Sequence, residues 1–401
     1  MESRLDSSLS WGEELAMSLG WSAQCSLPVS RPPAITNCSR SLTQTTLTMT
    51  VEMDPRVDST AGLTLEQHSC LDWIPVYSIA LVLGAIVAVF AIALGIVHSI
   101  LRKKGAVPYQ IPHFCVWASK LFPFVKYKNT AIHMTFLPSL KAAENMEVKS
   151  DDVFVASFPR SGTTWTQEIV YLVANDANVE KARAKFLSDR FPYLESPVIG
   201  QYKVSRLPSP RLIKTHLPYH LLPRDIHQKN AKIIYVMRNF KDVIVSNYNF
   251  FKCLSLPYAG TFDDFCQLFF ENKYVFSPWW RHVKEFWDNR HRSNILILKY
   301  EEMQQDLEGT VKKLSKFLGK PLSEDQIQTI VGHCSFDSMK KNVKVNHKWW
   351  DDIRFTQNND FIRKGKVGDW KNYFTKDLSE KVDELVREKL GDTGLSFCDE
   401  L

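Results

Sequence analysis

The apolar and polar positions fall into two regimes. From Ile74 to Leu101 nearly every residue is apolar and none is charged. About 28 residues at a rise of about 1.5 Å cover roughly 42 Å, enough to cross a bilayer core with some tilt. A buried core helix is the alternative, and it fits poorly with a stretch that long and hydrophobic all round. Further on the pattern becomes short and repetitive. Strand-length apolar runs occur at Val153–Phe158, Leu212–Thr215, Lys232–Met237 and Ile295–Leu298. Helical faces lie between and after them: Trp165, Ile169, Leu172 and Val173; Trp280, Val283 and Trp287; Leu307, Val311, Leu314 and Leu318, closed by Gly319. A last helix opens at Asp377 with Glu380 in its first turn, buries Leu378, Val382, Leu385 and Val386, and stops at Gly391. The alternation predicts an α/β domain: one doubly wound, P-loop-like parallel sheet with helices on both faces and ligands at the carboxyl ends of its strands. No internal repeat is visible.

The flanking composition divides the chain. Residues 1–72 are rich in Ser and Thr, lack periodicity and read as a poorly ordered tail. Residues 73–101 read as the membrane helix and 102–119 as a juxtamembrane connector. Pro- and aromatic-containing sequence continues to about residue 150, within a catalytic domain taken as 120–395. Arg102, Lys103 and Lys104 follow the apolar block directly, whereas the nearest basic residue before it is Arg56. That asymmetry predicts a cytosolic domain and an outside tail, which carries the sequon Asn37-Cys38-Ser39. The opposite, lumenal topology requires the charge rule to fail. Residues 1–100 are dispensable to the predicted fold, so a product lacking them would be a soluble cytosolic protein.

The 401 residues are 44% hydrophobic and 12% aromatic, ample for a large core. A net charge of +6, spread among acids, argues against nucleic-acid binding and for local basic sites that hold small anions. None of the eight cysteines forms a C-x-x-C pair, so no metal site is indicated, and the five from Cys115 onward read as thiols of a reduced compartment.

The candidate chemistry sits where such a sheet would present it. After the first parallel strand, Pro159-Arg160-Ser161-Gly162-Thr163-Thr164-Trp165 is a tight loop entering a helix, where unpaired N–H groups, three hydroxyls and the charge of Arg160 make an anion cradle. It lacks the upstream Gly and the loop Lys of the nucleotide-hydrolase motif, which disfavours a nucleotide kinase. A helix capped by Ser161 or Thr163 after a buried strand is its plain structural reading. Lys214, Thr215 and His216 emerge at a second strand end before Pro218. Arg238 ends a third and leads to Ser246, and Arg363-Lys364-Gly365-Lys366-Val367-Gly368-Asp369-Trp370 is a basic, Gly-punctuated loop. Two separated basic points imply a ligand with two phosphate-like groups. His216 is the candidate general base, although a lone His is more often structural.

These four segments, in order, resemble the cytosolic-type sulfotransferases over roughly residues 120–391. The resemblance implies transfer of a sulfuryl group from 3′-phosphoadenosine 5′-phosphosulfate (PAPS) to a hydroxyl or amine, without a metal. It implies that Arg160, Ser161, Gly162, Thr163 and Thr164 hold the 5′-phosphosulfate and that Trp165 stacks on adenine. Arg238, Ser246, Arg363, Lys364 and Gly365 would bind the 3′-phosphate, and Tyr300, Cys334, Phe336 and Met339 complete the nucleotide pocket. His216 would take the acceptor proton and Lys214 would neutralise the transferred group. Three positions depart from the pattern. Arg160 stands for the usual Lys, Cys334 for a Thr, and Lys376 for the Val of the dimer motif, here Lys371–Glu380, through which a homodimer is expected. A membrane helix is also unusual in that family. The competing function is a PAPS-binding membrane protein with lost or weak turnover because of Arg160. The acceptor is expected to be a small lipophilic phenol, steroid or alcohol. Phe191, Tyr193, Phe250, Phe251, Trp279 and Trp280 are equally readable as pocket lining or as core.

Overall fold

The computed structural model describes residues 99, 107–109, 124–197, 200–254, 258–353, 355–356 and 361–401. The expected tail and membrane helix, Ser99 apart, lie outside these residues. Among the described residues no helix is long and apolar enough to cross a membrane.

Four parallel strands carry the domain: β4 (Val153–Ser157), β5 (Leu212–Thr215), β6 (Lys232–Met237) and β7 (Ile295–Lys299), in the order β5-β4-β6-β7. Val155 lies opposite Lys214 on one side and Ile234 on the other, and Val236 opposite Leu298. Every residue of β4 is buried, which is why it reads as a continuous apolar run and not as an alternating one. Successive side chains serve opposite faces. Phe154, Ala156, Ile213, Ile233 and Tyr235 join one core, whereas Val153, Val155, Leu212, Ile234 and Val236 join another. The chain runs from β4 to β5 on one side, then returns past β4 to β6 on the other. That reversal opens a crevice at the carboxyl ends of the strands.

Three sequence readings need correction. The stretch before the parallel sheet is more than a connector. Val107–Tyr109 (β1), Phe124–Tyr127 (β2) and Thr130–His133 (β3) form a separate antiparallel sheet, followed by helix α1 (Leu137–Glu144). In the helix Trp279–Asp288 the buried face is Trp279, His282, Val283 and Phe286, while Trp280 and Trp287 pack only at its border. The last helix spans Lys376–Leu390 and is capped by Thr375, whose hydroxyl accepts from the Leu378 N–H at 3.3 Å. Gly391 there is right-handed and starts a 3-10 turn, and the left-handed glycine is Gly394.

The helices that reach the crevice begin and end for local reasons. Helix α2 (Thr163–Ala174) starts on Gly162 at φ +105°, a left-handed conformation that L side chains rarely adopt. Helix α3 (Phe240–Cys253) is capped by Asn239, which accepts from the Lys241 N–H. Leu307–Leu318 ends at left-handed Gly319, as its sequence predicts.

Candidate active site

All four strand ends deliver a side chain to the crevice: the cradle follows β4, His216 follows β5, Arg238 follows β6 and Tyr300 follows β7. The cradle's side chains do not cap the helix that follows it. Ser161 is fully buried and its Oγ has no hydrogen-bond partner among the described residues. Gly162 offers no side-chain cap, and a Cβ there would come within 2.8 Å of the Tyr300 ring. Thr163 instead bonds Ser157 Oγ at 2.5 Å, tying the helix start to the end of β4.

His216 is held in one tautomer. Its Nδ1 lies 2.8 Å from the Ser157 carbonyl oxygen, which can only accept, so Nδ1 carries the proton and Nε2 the lone pair. Burial first, then the charge of Lys214, holds its pKa well below the usual imidazole range, so the ring is neutral at physiological pH. Tyr193 and Phe276 flank it at 5.3 and 5.9 Å. The Lys214 ammonium lies 4.5 Å from the Tyr193 ring, and burial lowers its pKa to about 8.

Sequence motifs missed the supports beneath this histidine. Glu195, fully buried, accepts from the Thr215 hydroxyl at 2.9 Å and from the His216 N–H, and burial pushes its carboxyl up to about 7. From the other side His282 Nε2 donates to the His216 carbonyl at 3.0 Å, and its Nδ1 pairs with the Tyr235 hydroxyl at 2.8 Å. Burial lowers His282 to about 4, so it too is neutral.

The second basic point is equally defined. Arg238 lies with its guanidinium carbon 4.3 Å from the Tyr300 ring centre, donates to the Lys366 carbonyl at 3.0 Å, and faces Asp242 at 3.5 Å. Its buried Nε has no partner among the described residues. Asp242 in turn accepts the N–H groups of Gly368 at 2.9 Å and Trp370 at 3.1 Å, which fixes the basic loop beside Arg238. Gly365 is left-handed, and a Cβ there would run into Phe336. Arg363 and Lys364 both pair with Asp369. Burial opposes its charge, but these two cations, Lys364 foremost, bring it down to about 2.

Arg160, at φ +69°, is engaged on several sides. It donates to Ser246 Oγ at 3.2 Å and to the Phe361 carbonyl at 2.8 Å, and lies over the Phe361 and Phe250 rings. Burial lowers its pKa to about 10, which leaves it charged. The indole N–H of Trp165 donates to the Cys334 carbonyl at 2.8 Å and its ring meets Tyr300 edge-on at 5.7 Å. The Cys334 side chain and Met339 are buried in the second core. Of the expected acceptor-side aromatics, Tyr193 reaches His216 and Phe250 reaches Arg160. Phe191 and Trp279 are core residues, with Trp279 stacked on Phe240 at 4.4 Å. Among the described residues there is no group of His, Cys, Asp or Glu able to hold a metal ion, and Cys253, Cys266, Cys334 and Cys398 are free thiols.

A family model described as a sulfotransferase domain matches residues 150–394. Rat sulfotransferase 1C2 is 38% identical over 264 residues, covering 64% of this chain and 89% of its own. Mouse sulfotransferase 1B1 is 38% identical over 265 residues with the same coverage. Among solved structures, retinol dehydratase in complex with retinol and PAP matches with a TM-score of 0.65 at 32% identity, over 69% of this chain and 92% of that one. The same enzyme with androsterone and the inactive cofactor PAP matches at 0.63. Mouse sulfotransferase 7A1 with PAP matches at 0.56 and 30% identity, over 67% of this chain and 94% of that one.

Proposed function

Because the chain belongs to the sulfotransferase family, we propose that its crevice moves a sulfuryl group from PAPS to a hydroxyl (or amine) of a small lipophilic phenol, steroid or alcohol, with His216 as general base. The observation that carries this reading is the tautomer of His216. The ring's one proton is committed to the Ser157 carbonyl, and a lone pair is left at Nε2 beside the Lys214 ammonium. The relatives' PAP and steroid or retinol complexes support the donor and the lipophilic acceptor.

The residues fit the donor. Ser161 Oγ and Arg238 Nε are buried polar atoms without a partner among the described residues, and Gly162 and Gly365 let the Tyr300 and Phe336 rings close directly on the backbone of the two loops. PAPS supplies the activated sulfuryl group. Arg160, Ser161, Gly162, Thr163 and Thr164 would hold its 5′ end, with Trp165 against the base. Arg238, Ser246, Arg363, Lys364 and Gly365 would hold the 3′-phosphate, with Tyr300, Phe336 and the Cys334 and Met339 segment closing the pocket. Neutral His216 takes the acceptor's proton at Nε2, and Lys214 offsets negative charge as it develops. The test uses the full chain: release of PAP from PAPS in the presence of phenols, steroids and alcohols. Tight PAPS binding with no sulfated product from any of them would favour a donor-binding protein without turnover. The engagement of Arg160 with Ser246 and Phe361 is the observation behind that second reading, and recovery of transfer in Arg160→Lys would establish it.

The pH dependence follows from two groups. His216 must be neutral, and its lowered pKa places the acid limb below about pH 6.5. Lys214 must be charged, so kcat/KM for PAPS should fall above about pH 8 as it loses its proton. Lys214→Arg should remove the alkaline limb, and a limb unchanged in that variant would assign it elsewhere.

The proposal also includes an anchor over residues 73–101 with the domain in the cytosol, supported by the charge-free run and by Arg102, Lys103 and Lys104. Extraction of the full chain by alkaline carbonate would refute it. A homodimer through Lys371–Glu380 is proposed on the motif. Lys376 and Glu380 are exposed there, only 3.9 Å apart in a loose ion pair. A monomer in sedimentation at micromolar concentration would remove it.

A further inference from the structure

Residues Asp399 and Glu400 lie against the basic loop at Gly368, Trp370 and Lys371. Phe397, partly buried, packs against the core 5.6 Å from the Trp279 ring and pins the segment. Beyond it, the Asp399 carbonyl accepts the Trp370 indole N–H at 3.1 Å, and Glu400 pairs with Lys371. The Asn239 amide, one residue past Arg238, donates to Asp399 Oδ1 at 2.9 Å and to the Cys398 carbonyl at 3.4 Å. The hydrogen that replaces a side chain at Gly368 faces the same strap: a Cβ there would lie 3.1 Å from the Asp399 carbonyl and 3.4 Å from Glu400 Cβ.

The loop 363–370 is therefore gripped twice. Asp242 takes its N–H groups at Gly368 and Trp370. Asp399 and Glu400 take the side chains of the same Trp370 and of Lys371. Both grips also reach the end of β6, one through Arg238 and the other through Asn239. We propose that residues 397–400 are a strap that positions the Arg363–Gly368 loop for the 3′-phosphate of the donor, with Asp399 and Glu400 as positioning residues that do not touch it. This rests on the assignment of that loop to the donor. It adds that donor affinity depends on a segment outside the four motifs, which a partner or a modification could pull away.

The sign of the effect separates this from plain electrostatics. Asp399 and Glu400 are acids beside an anion site. Removing them should tighten anion binding if charge alone mattered. The doubly substituted full chain Asp399→Ala/Glu400→Ala keeps the bond from the Trp370 indole to the main-chain carbonyl of residue 399 but loses the Asn239–Asp399 and Lys371–Glu400 side-chain contacts. If the two acids act as a strap, it should bind PAP about five- to tenfold more weakly, the effect of losing one or two hydrogen bonds. The acceptor KM and the kcat at saturating PAPS should stay unchanged. Calorimetric titration with PAP reads the first and steady-state kinetics the others.

A second measurement needs no disruptive substitution. Cys398 is exposed and its thiol lies 2.8 Å from the Glu400 carbonyl. Alkylation with N-ethylmaleimide should weaken PAP binding in the wild type by a similar factor but not in Cys398→Ser. Unchanged or tighter PAP binding in the double variant, or alkylation that acts equally on both proteins, would overturn the strap. No PAP binding by the unmodified wild type would instead refute the assignment of the donor site.

Discussion

Replacing His216 by alanine is expected to lower kcat about 10²- to 10⁴-fold, the usual contribution of a positioned general base, while PAP still binds with near-wild-type affinity. The expectation rests on where the ring is held. Its Nδ1–H is spent on Ser157, its backbone N–H on Glu195 and its carbonyl on His282, so the strand end is fixed from three sides and Nε2 alone is left for chemistry. None of those bonds belongs to the donor-holding groups, so nucleotide affinity should survive. The alanine variant does leave the Ser157 carbonyl unpaired in a buried place, which costs stability. Thermal unfolding must therefore accompany the kinetics. Loss of turnover with PAP binding retained supports the assignment, and turnover within a few-fold of wild type would end it.

How much of this was legible follows from the kind of signal each part leaves. The four parallel strands could be read because β4 and its neighbours are buried on both faces, and a run of buried positions is an apolar run in sequence. The cradle could be read because loop, glycine and helix start are contiguous. Glu195 could not. It is one acid among 44 Asp and Glu residues, and its role exists only because Leu194 N–H and Lys214 N–H bonds lay the 192–195 segment along β5. His282 likewise sits on a helix whose pattern gave no reason to separate it from ten other histidines. The antiparallel sheet β1–β3 escaped because its strands are three or four residues long, too short for alternation to register. At Thr375 two candidate caps stood close together, and the choice of Asp377 ignored the hydroxyl two residues earlier.

Arg238→Ala should weaken PAPS binding by about 1.5–3 kcal/mol, or roughly ten- to 150-fold in Kd, the range for a charge-assisted hydrogen bond at a buried site. The side chain is preset for an anion: the Tyr300 ring supports its guanidinium, the Lys366 carbonyl takes one N–H and Nε has no partner among the described residues. The Asp242 carboxylate, at 3.5 Å, is too distant for a short charge-assisted bond and is already occupied by the Gly368 and Trp370 N–H groups. The loop should thus keep its Asp242 grip when Arg238 is lost, and the defect should appear in donor affinity more than in kcat at saturating PAPS. Arg238→Lys should recover only part of the affinity, because an ammonium keeps the charge but cannot reach the Lys366 carbonyl and a phosphate with one planar fork. Calorimetry with PAP on both variants tests this. Wild-type affinity in the alanine variant would remove Arg238 from the donor site, and full rescue by lysine would mean that charge, not geometry, is what the position supplies.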